Sequence, residues 1–279
     1  MAYRKYETVL IDVKDGIGWV TLNRPEKRNA MSPQLCYDMV DLMTELDVDP
    51  AVKVMVLTGA GQAWSAGMDL KEFFRAMDND PRGRRLSSIA DRTWNWYKVS
   101  NLSKPSIAMV NGFCFGGAFI PLAACDYAIA AEDAVFGLSE VNWGIIPGGL
   151  VSKVVCDMMT YRKALFYATT GRTFTGKEAE QLGVVTLSVP RANLRAETER
   201  LCAELTSKPM QAVQSTKEAI RMVRTMNVDQ AYDYLQAKSE QLRWRDRNAN
   251  MRDQGIKDFI DEKKYRPGLQ SVANPTHKS

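Results

Sequence analysis

The stretch Ala108-Met-Val-Asn-Gly-Phe-Cys-Phe-Gly-Gly-Ala118, with Phe136-Gly-Leu-Ser-Glu140 downstream, decides how the chain is read. Ile107 to Val110 is an apolar run that reads as a buried strand. Asn111-Gly112 ends it as a turn signal. Gly116 and Gly117 then open a small-residue apolar segment to about Cys125, which reads as a buried helix. Adjacent glycines at a helix start leave backbone N–H groups bare and open to close approach. Such donors, at the positive end of the helix dipole, suit a developing oxyanion. Glu140 falls in an apolar neighbourhood without an obvious cation, and the combination points to acyl chemistry with one acid/base. Plain packing accounts equally for a strand, a Gly-Gly turn and a buried helix, and a lone Glu is more often a solvated residue or a helix cap. A second stretch, Trp64-Ser-Ala-Gly-Met-Asp-Leu70, tips the balance. It follows the apolar strand Val54-Met-Val-Leu-Thr-Gly59 and offers another small-residue turn. Two such turns after two strands supply two donors to one oxygen.

With 279 residues the chain has enough sequence for one large core, with or without a helical appendage. A net charge of +4 is compatible with an anionic small ligand and does not argue for nucleic acid. The clusters Arg82-Gly-Arg-Arg85 and Arg243–Arg247 are short and read as solvated faces. No apolar run approaches the roughly 18 residues of a membrane span, and the first residues lack the apolar core of a signal peptide. No membrane association and a cytoplasmic location are therefore expected. The five cysteines, Cys36, Cys114, Cys125, Cys156 and Cys202, are odd in number and widely spaced, which argues against disulfides and zinc. The one histidine, His277, lies in a polar tail, so Ser-His-Asp and Cys-His catalysis and His-based metal sites are unlikely readings. Acid/base work falls to carboxylates, Tyr, Lys or Cys.

Residues 6–13 and 16–22 alternate as strands about Lys14-Asp15-Gly16, a hairpin signal. Asn23 to Asn29 reads as a charged loop. Ser32-Pro33 reads as a helix N-cap followed by proline at the first helical position, with the helix running to about Asp47. Strand 53–59, the Ala66–Leu70 turn, a helix near 86–101, strand 105–110, the buried helix and strand 127–131 follow. Strands alternating with helices, many apolar throughout, argue for an α/β core with a largely parallel sheet. From Val151 the pattern reads as helical: 150–159, 160–170, 176–183, 193–206, 209–225, 228–245 and 252–262. Thr175-Gly-Lys-Glu178 has capping-box spacing. Three regions are expected: a core over 1–200, a helical region over 201–265 and a flexible tail over 266–279.

Four segments in order resemble the crotonase (enoyl-CoA hydratase/isomerase) superfamily. They are Leu22-Asn-Arg-Pro-Glu-Lys-Arg-Asn-Ala30, Ser65-Ala-Gly-Met-Asp-Leu70, Val110-Asn-Gly-Phe-Cys-Phe-Gly-Gly-Ala118, and Phe136-Gly-Leu-Ser-Glu-Val-Asn-Trp-Gly-Ile-Ile-Pro-Gly148. Gly183-Val-Val185 adds to them. Pro25-Glu-Lys-Arg-Asn-Ala-Met-Ser-Pro33, Ala66-Gly-Met-Asp-Leu-Lys-Glu72, Leu138-Ser-Glu-Val-Asn-Trp-Gly-Ile145 and Arg266-Pro-Gly-Leu-Gln270 are similar to the hydroxycinnamoyl-CoA (feruloyl-CoA) hydratase-lyase branch.

The resemblance implies a ββα spiral core with C-terminal helices that cover a site and mediate trimer contacts. It implies that backbone N–H groups of Met68 and Gly117 bind a thioester oxygen, that Glu140 is the acid/base, and that Gly148 helps place a water. Ala66, Asp69 and Leu70 match backbone lining an adenine pocket, and Lys27, Arg28 and Ala30 lie where the CoA phosphates and pantetheine pass. The implied substrate is an acyl-CoA thioester, with CoA entering as part of it and no separate cofactor or metal. The implied assembly is a homotrimer or a dimer of trimers. The implied reaction is hydration of an aryl-enoyl-CoA followed by retro-aldol cleavage to an aromatic aldehyde, such as vanillin, and acetyl-CoA.

Three departures qualify the likeness. Simple hydratases carry a second glutamate where this chain has Ile120, so Glu140 would have to work alone, and the hydroxycinnamoyl lyases carry a hydroxyl at that position. The branch's substrate-holding tyrosines fall at Phe73 and Gln236, with Tyr234 two residues from the second. Phe73, Phe74, Phe113 and Trp143 are the expected aromatic liners. A hydratase that stops at the β-hydroxy thioester, a dehydratase, an isomerase, an RNA-binding relative and an inactive scaffold are the competing readings.

Overall fold

Asp15 and Gly16 both hold positive φ, 54° and 79°, the backbone of a tight hairpin turn whose twist matches paired strands. Val9–Lys14 (β1) and Ile17–Leu22 (β2) therefore pair antiparallel. The computed structural model describes residues 3–246 and 250–263. The chain divides into two compact units, Met1–Cys202 and Ala203–Ser279. No helix of the described residues is long and apolar enough to cross a membrane.

In the first unit, Ser32 caps Pro33–Val48 (α1), its side chain accepting from the Leu35 N–H at 3.2 Å, with proline at the first helical position. Three strand pairs follow: Val54–Gly59 (β3) with Ala63–Ser65 (β4), Ser106–Val110 (β5) with Phe113–Phe115 (β6), and Tyr127–Ala131 (β7) with Val135–Gly137 (β8). Pro81–Arg92 (α2) stands between the first two pairs and Phe119–Ala124 (α3) between the second two. Val151–Met158 (α4), Tyr161–Thr170 (α5), Thr173–Thr175 (β9), Gly176–Gln181 (α6), Leu187–Val189 (β10) and Leu194–Thr206 (α7) complete the order.

The first strand of each pair enters one sheet, ordered β1-β2-β3-β5-β7-β10 and parallel from β2 onward. The second strand enters another sheet, ordered β4-β6-β8-β9, with β4, β6 and β8 parallel and β9 antiparallel. Repeated strand–strand–helix turns thus wind one spiral. β3 and β5 are buried at every position, as continuous apolar runs in a covered parallel sheet require. Phe136 opposes Phe174 in the β8–β9 register, and their stacked rings are 5.4 Å apart, with Phe119 and Tyr167 packed on the same pair.

The second unit holds Met210–Val223 (α8), Val228–Arg245 (α9) and Met251–Ile260 (α10). Asn227 caps α9 and forms a capping box with Gln230. Arg247, the tail over 266–279, His277 and Arg266 to Gln270 lie outside the described residues.

Three expectations need correction. The region after Val151 is not wholly helical, because β9 and β10 lie in it. The helix expected near 86–101 begins at Pro81, capped by Asp80, and ends in a wider π-helical turn over Thr93–Lys98. The charged stretch at 23–29 is not a loop throughout: Pro25–Lys27 forms a 3-10 turn, and although Pro25 to Arg28 are exposed, Arg24 is buried and Asn29 fully so. Arg24 Nη1 donates to the Ala30 carbonyl at 2.6 Å and to Asp69 Oδ2 at 3.1 Å, and Nη2 donates to Glu72 Oε1 at 2.7 Å. Asn29 Nδ2 donates to the carbonyls of Ala60 and Ala63. A charge brought out of water is tolerated only with such complete pairing.

Removing one member of a buried pair leaves the other uncompensated. Arg24→Met should therefore lower the unfolding free energy by about 3 kcal/mol, read as a shift of the urea midpoint. A loss below about 1 kcal/mol would show that the clamp behaves like a surface ion pair.

Candidate active site

Parallel strands end together, so the turns leaving β4, β6 and β8 converge. The register aligns Ser65 with Cys114, Cys114 with Phe136, and Phe115 with Gly137. Ala66–Leu70, Gly116–Ala118 and Leu138–Glu140 leave the same edge of the small sheet one after another.

The Met68 turn is oriented by a parallel bridge to Met31. Met31 N–H donates to the Gly67 carbonyl at 2.7 Å, and Asp69 N–H donates to the Met31 carbonyl at 3.0 Å. In a parallel bridge the residue between those two points its own N–H to the opposite side. The Met68 N–H therefore faces away from Met31. Gly67 holds φ +84°, and a Cβ there would lie 2.5 Å from the Phe115 carbonyl oxygen and 3.0 Å from Gly117 N. Only glycine meets both conditions. The Met68 side chain in turn lies against the Cα of Gly117. Gly117 is the second residue of a single helical turn, where N–H groups have no partner within the helix. Two bare amides thus sit on backbones in direct contact.

Glu140 opens a short helical turn and packs over the second glycine turn: a Cβ on Gly116, itself at φ +52°, would meet Glu140 Oε1 at 3.0 Å. Glu140 Oε2 is buried and takes no hydrogen bond among the described residues. Burial pushes its carboxyl above the ordinary glutamate range, opposed in part by its own backbone N–H. A carboxyl raised by burial, beside bare amides and with no hydrogen-bond partner at Oε2 among the described residues, is suited to moving a proton.

These turns face a cavity of about 1050 Å³. Its wall brings together Lys27, Ala30, Ala66, Met68, Asp69, Leu70, Phe73, Gly117, Ile120, Glu140, Trp143 and Gly148 from the sequence-derived set, with Phe74 from the aromatic liners. Lys27 is exposed at the rim, and Ile120 is buried. The Asp69 carboxylate is occupied by Arg24 and by the N–H groups of Lys71 and Glu72, so its side chain holds the turn in place. Arg28 stands off the wall, its guanidinium 5.3 Å from the Phe113 ring centroid, and Phe113 is likewise not a liner. Tyr234 and Gln236 stand on α9 of the second unit, where Gln236 donates to Tyr232 Oη.

Sequence reasoning missed the polar wall. Ser88, Asp91, Arg92 and Asn95 also line the cavity, at the i, i+3, i+4, i+7 spacing of one helix face. That spacing was readable within the predicted helix. Asn95 Nδ2 donates to Asp91 Oδ1 at 2.7 Å, and the buried Cys36 thiol approaches the same oxygen at 3.9 Å. Burial raises the Asp91 carboxyl to about 7, opposed by the Cys36 contact.

The chain matches the enoyl-CoA hydratase/isomerase family over residues 12–267, and it belongs to that family. It is 48% identical to a Pseudomonas fluorescens protein named hydroxycinnamoyl-CoA hydratase-lyase, over 96% of this chain and 97% of that one. It is 33% identical to a probable enoyl-CoA hydratase of Mycobacterium tuberculosis, over 77% and 81% of the two chains. An enoyl-CoA hydratase subunit from Geobacillus kaustophilus superposes with a TM-score of 0.82 at 29% identity, covering 96% of this chain and 99% of the other. A Bacillus anthracis enoyl-CoA hydratase does so with a TM-score of 0.82 at 28% identity, covering 92% and 97%. The fold is the crotonase α/β architecture expected from the sequence.

The Asp91 carboxyl gives a pH-dependent prediction. Its ordinary unfolded value is about 3.9, against about 7 in the fold. The native state therefore loses stability as pH rises between those values, when a buried charge must form. Asp91→Asn should raise the thermal midpoint relative to wild type at pH 8, and the gain should vanish on acidification toward pH 4. A midpoint difference independent of pH would refute the buried-carboxyl assignment.

Proposed function

We propose that this enzyme hydrates an aryl-enoyl-CoA thioester and then cleaves the β-hydroxy product to an aromatic aldehyde and acetyl-CoA. The observation that carries the reading is the contact of the Gly67–Met68 and Gly116–Gly117 backbones beside the half-buried Glu140, whose buried Oε2 has no hydrogen-bond partner among the described residues, in one cavity. The 48% identity to a protein named hydroxycinnamoyl-CoA hydratase-lyase supports the aryl-enoyl substrate and the cleavage step.

In this reading the N–H groups of Met68 and Gly117 bind the thioester oxygen, where charge collects as the enolate forms. Fixed donors in a dry site stabilise that charge strongly, and losing one costs about 100-fold or more in rate. Glu140 takes a proton from water as the water oxygen bonds to Cβ, and delivers it to Cα. Gly148, on the same wall, helps place that water. In the second stage Glu140 takes the proton of the β-hydroxyl. The electron pair forms the aldehyde C=O, the Cα–Cβ bond breaks, and the enolate of acetyl-CoA is left in the same two-amide site. Protonation at Cα completes acetyl-CoA.

Ile120 supports a one-carboxylate mechanism, because it puts an apolar side chain on the wall where simple hydratases carry a second glutamate. Lys27 at the rim and the backbone at Ala30, Ala66 and Leu70 supply the CoA side of the cavity, with Arg28 beside it. Phe73, Phe74 and Trp143 supply an aromatic wall for the ring. Tyr234 and Gln236, on α9, belong to the substrate-holding set that the resemblance to the lyase branch implies. Assembly as a trimer or a dimer of trimers belongs to the same proposal, and the exposed Tyr232 and Trp244 of α9 are apolar surface available for it.

Incubation of the purified enzyme with feruloyl-CoA and cinnamoyl-CoA, with mass-resolved products, tests the reaction. Vanillin or benzaldehyde appearing with acetyl-CoA is expected. A β-hydroxy thioester without aldehyde would reduce the assignment to a hydratase, and no product from either would overturn it. Glu140→Gln should lower kcat by about 100- to 10,000-fold while CoA binding and the thermal transition persist. Near-wild-type turnover in that variant would remove Glu140 from the chemistry.

A further inference from the structure

Apart from the reacting groups, the cavity has one wall that its apolar liners do not explain. Phe73, Phe74, Ile120 and Trp143 offer no acceptor to a polar substituent. Opposite chemistry stands on the helix of α2 and its π-helical continuation, where Asp91 and Asn95 reach the same space. Their positions are built into the fold. Asn95 is 1% exposed and Cys36 fully buried, so the two groups that touch Asp91 Oδ1 are anchored in the core against α1. Asp91 Oδ2 takes no hydrogen bond among the described residues. Arg92, the adjacent cation, is turned onto the Tyr97 ring, 5.5 Å from its centroid. A carboxyl with one oxygen fixed and the other free on the cavity wall is a preset hydrogen-bond acceptor once it is ionised, above the value of about 7 to which burial raises it.

We infer that Asp91 is a specificity-determining residue, its Oδ2 accepting a hydrogen bond from a hydroxyl on the substrate's aryl ring. The inference rests on the proposed aryl-enoyl-CoA chemistry and names the ring substituent that this site selects. A ring hydroxyl is a donor that a buried acceptor rewards, and a ring without one leaves Oδ2 buried and unpaired. The asymmetry makes Asp91 discriminate by the presence of the hydroxyl rather than by ring size. The raised carboxyl pKa agrees with a desolvated group awaiting a partner. Asn95 and Cys36 act through Asp91 as positioning residues.

The test is the ratio of kcat/KM values at pH 8.5, where the Asp91 carboxyl is ionised, for 4-hydroxycinnamoyl-CoA, cinnamoyl-CoA and 4-methoxycinnamoyl-CoA. Wild type should favour the hydroxylated ring over the unsubstituted one by about tenfold or more. Asp91→Asn keeps an oxygen for Asn95 and Cys36 but presents an amide donor to the cavity. The variant should therefore lower the hydroxy-to-unsubstituted ratio by about 10- to 100-fold and move preference toward the methoxy ring, which only accepts. A misfolded or merely loosened protein cannot produce that reversal. Equal losses on all three thioesters would mean that Asp91 is structural and would overturn the inference. A wild-type ratio near one would overturn it without any variant. If wild type converts no aryl thioester at all, the proposed reaction falls and this inference falls with it. That result is distinct from equal turnover, which removes only the role of Asp91.

Discussion

The site depends on how closely the Gly67 backbone approaches Phe115 and Gly117. A single methyl group on Gly67 would occupy the space of a carbonyl oxygen. Two amides can be directed at one atom only if their chains touch, and chains touch only where no side chain intervenes. The surrounding polar groups hold that contact in register. Arg24 ties Ala30 to Asp69, so the first turn of the chain and the Met68 turn move as one piece. Ser65 Oγ donates to the Asn29 carbonyl and accepts from the Gly67 N–H, which fixes the entry to the turn. The parallel bridge to Met31 then sets which way the Met68 amide faces. Preorganised dipoles of this kind need no reorganisation when charge appears.

Partial burial of a carboxyl is the second consequence of that packing. Glu140 Oε2 is buried without a hydrogen-bond partner among the described residues, and its carboxyl rises accordingly. The same reasoning separates Glu140 from Asp69. Asp69 is also buried, but Arg24 and two backbone N–H groups engage it, so it is a structural charge with no capacity left over. An unpaired buried carboxyl and a fully paired one are distinguished by their partners, not by their residue type or depth.

Long elements and the glycine turns were legible in the sequence because their signals are local. The strands near 54–59, 106–110 and 127–131 are continuous apolar runs, and Ser32-Pro33 announces α1 within two residues. The second sheet was not legible. β4, β6, β8 and β9 are three residues each, too short for a period-two pattern to declare itself. Their pairing is the result of the spiral, and no local signal encodes it. Arg24 was read only as part of a charged loop because its acceptors, Asp69 and Glu72, lie more than forty residues away. The burial of Asp91, unlike its place on a helix face, was not legible for the same reason: it depends on α2 lying over Cys36 of α1. Polar residues buried by distant partners have the sequence signature of surface residues.

This blind spot bears on how chemistry and specificity divide the cavity. In the proposed reaction the glycine turns and Glu140 act only on the thioester and the two carbons next to it, and they would serve any enoyl chain. A space of about 1050 Å³ holds many acyl groups, and an apolar wall separates them by only about 10–200-fold for each methylene. A buried acceptor separates hydroxylated from unsubstituted rings far more sharply, because the wrong ligand leaves a polar atom unpaired. The proposed reaction also requires Cβ to meet Glu140 within hydrogen-bond reach of a water. On the inference that Asp91 holds the ring hydroxyl, with the thioester oxygen held at the two amides, a rigid aryl-enoyl chain would be fixed at two points and Cβ would have little freedom. Selection of the ring and placement of the reacting carbon would then be the same physical event.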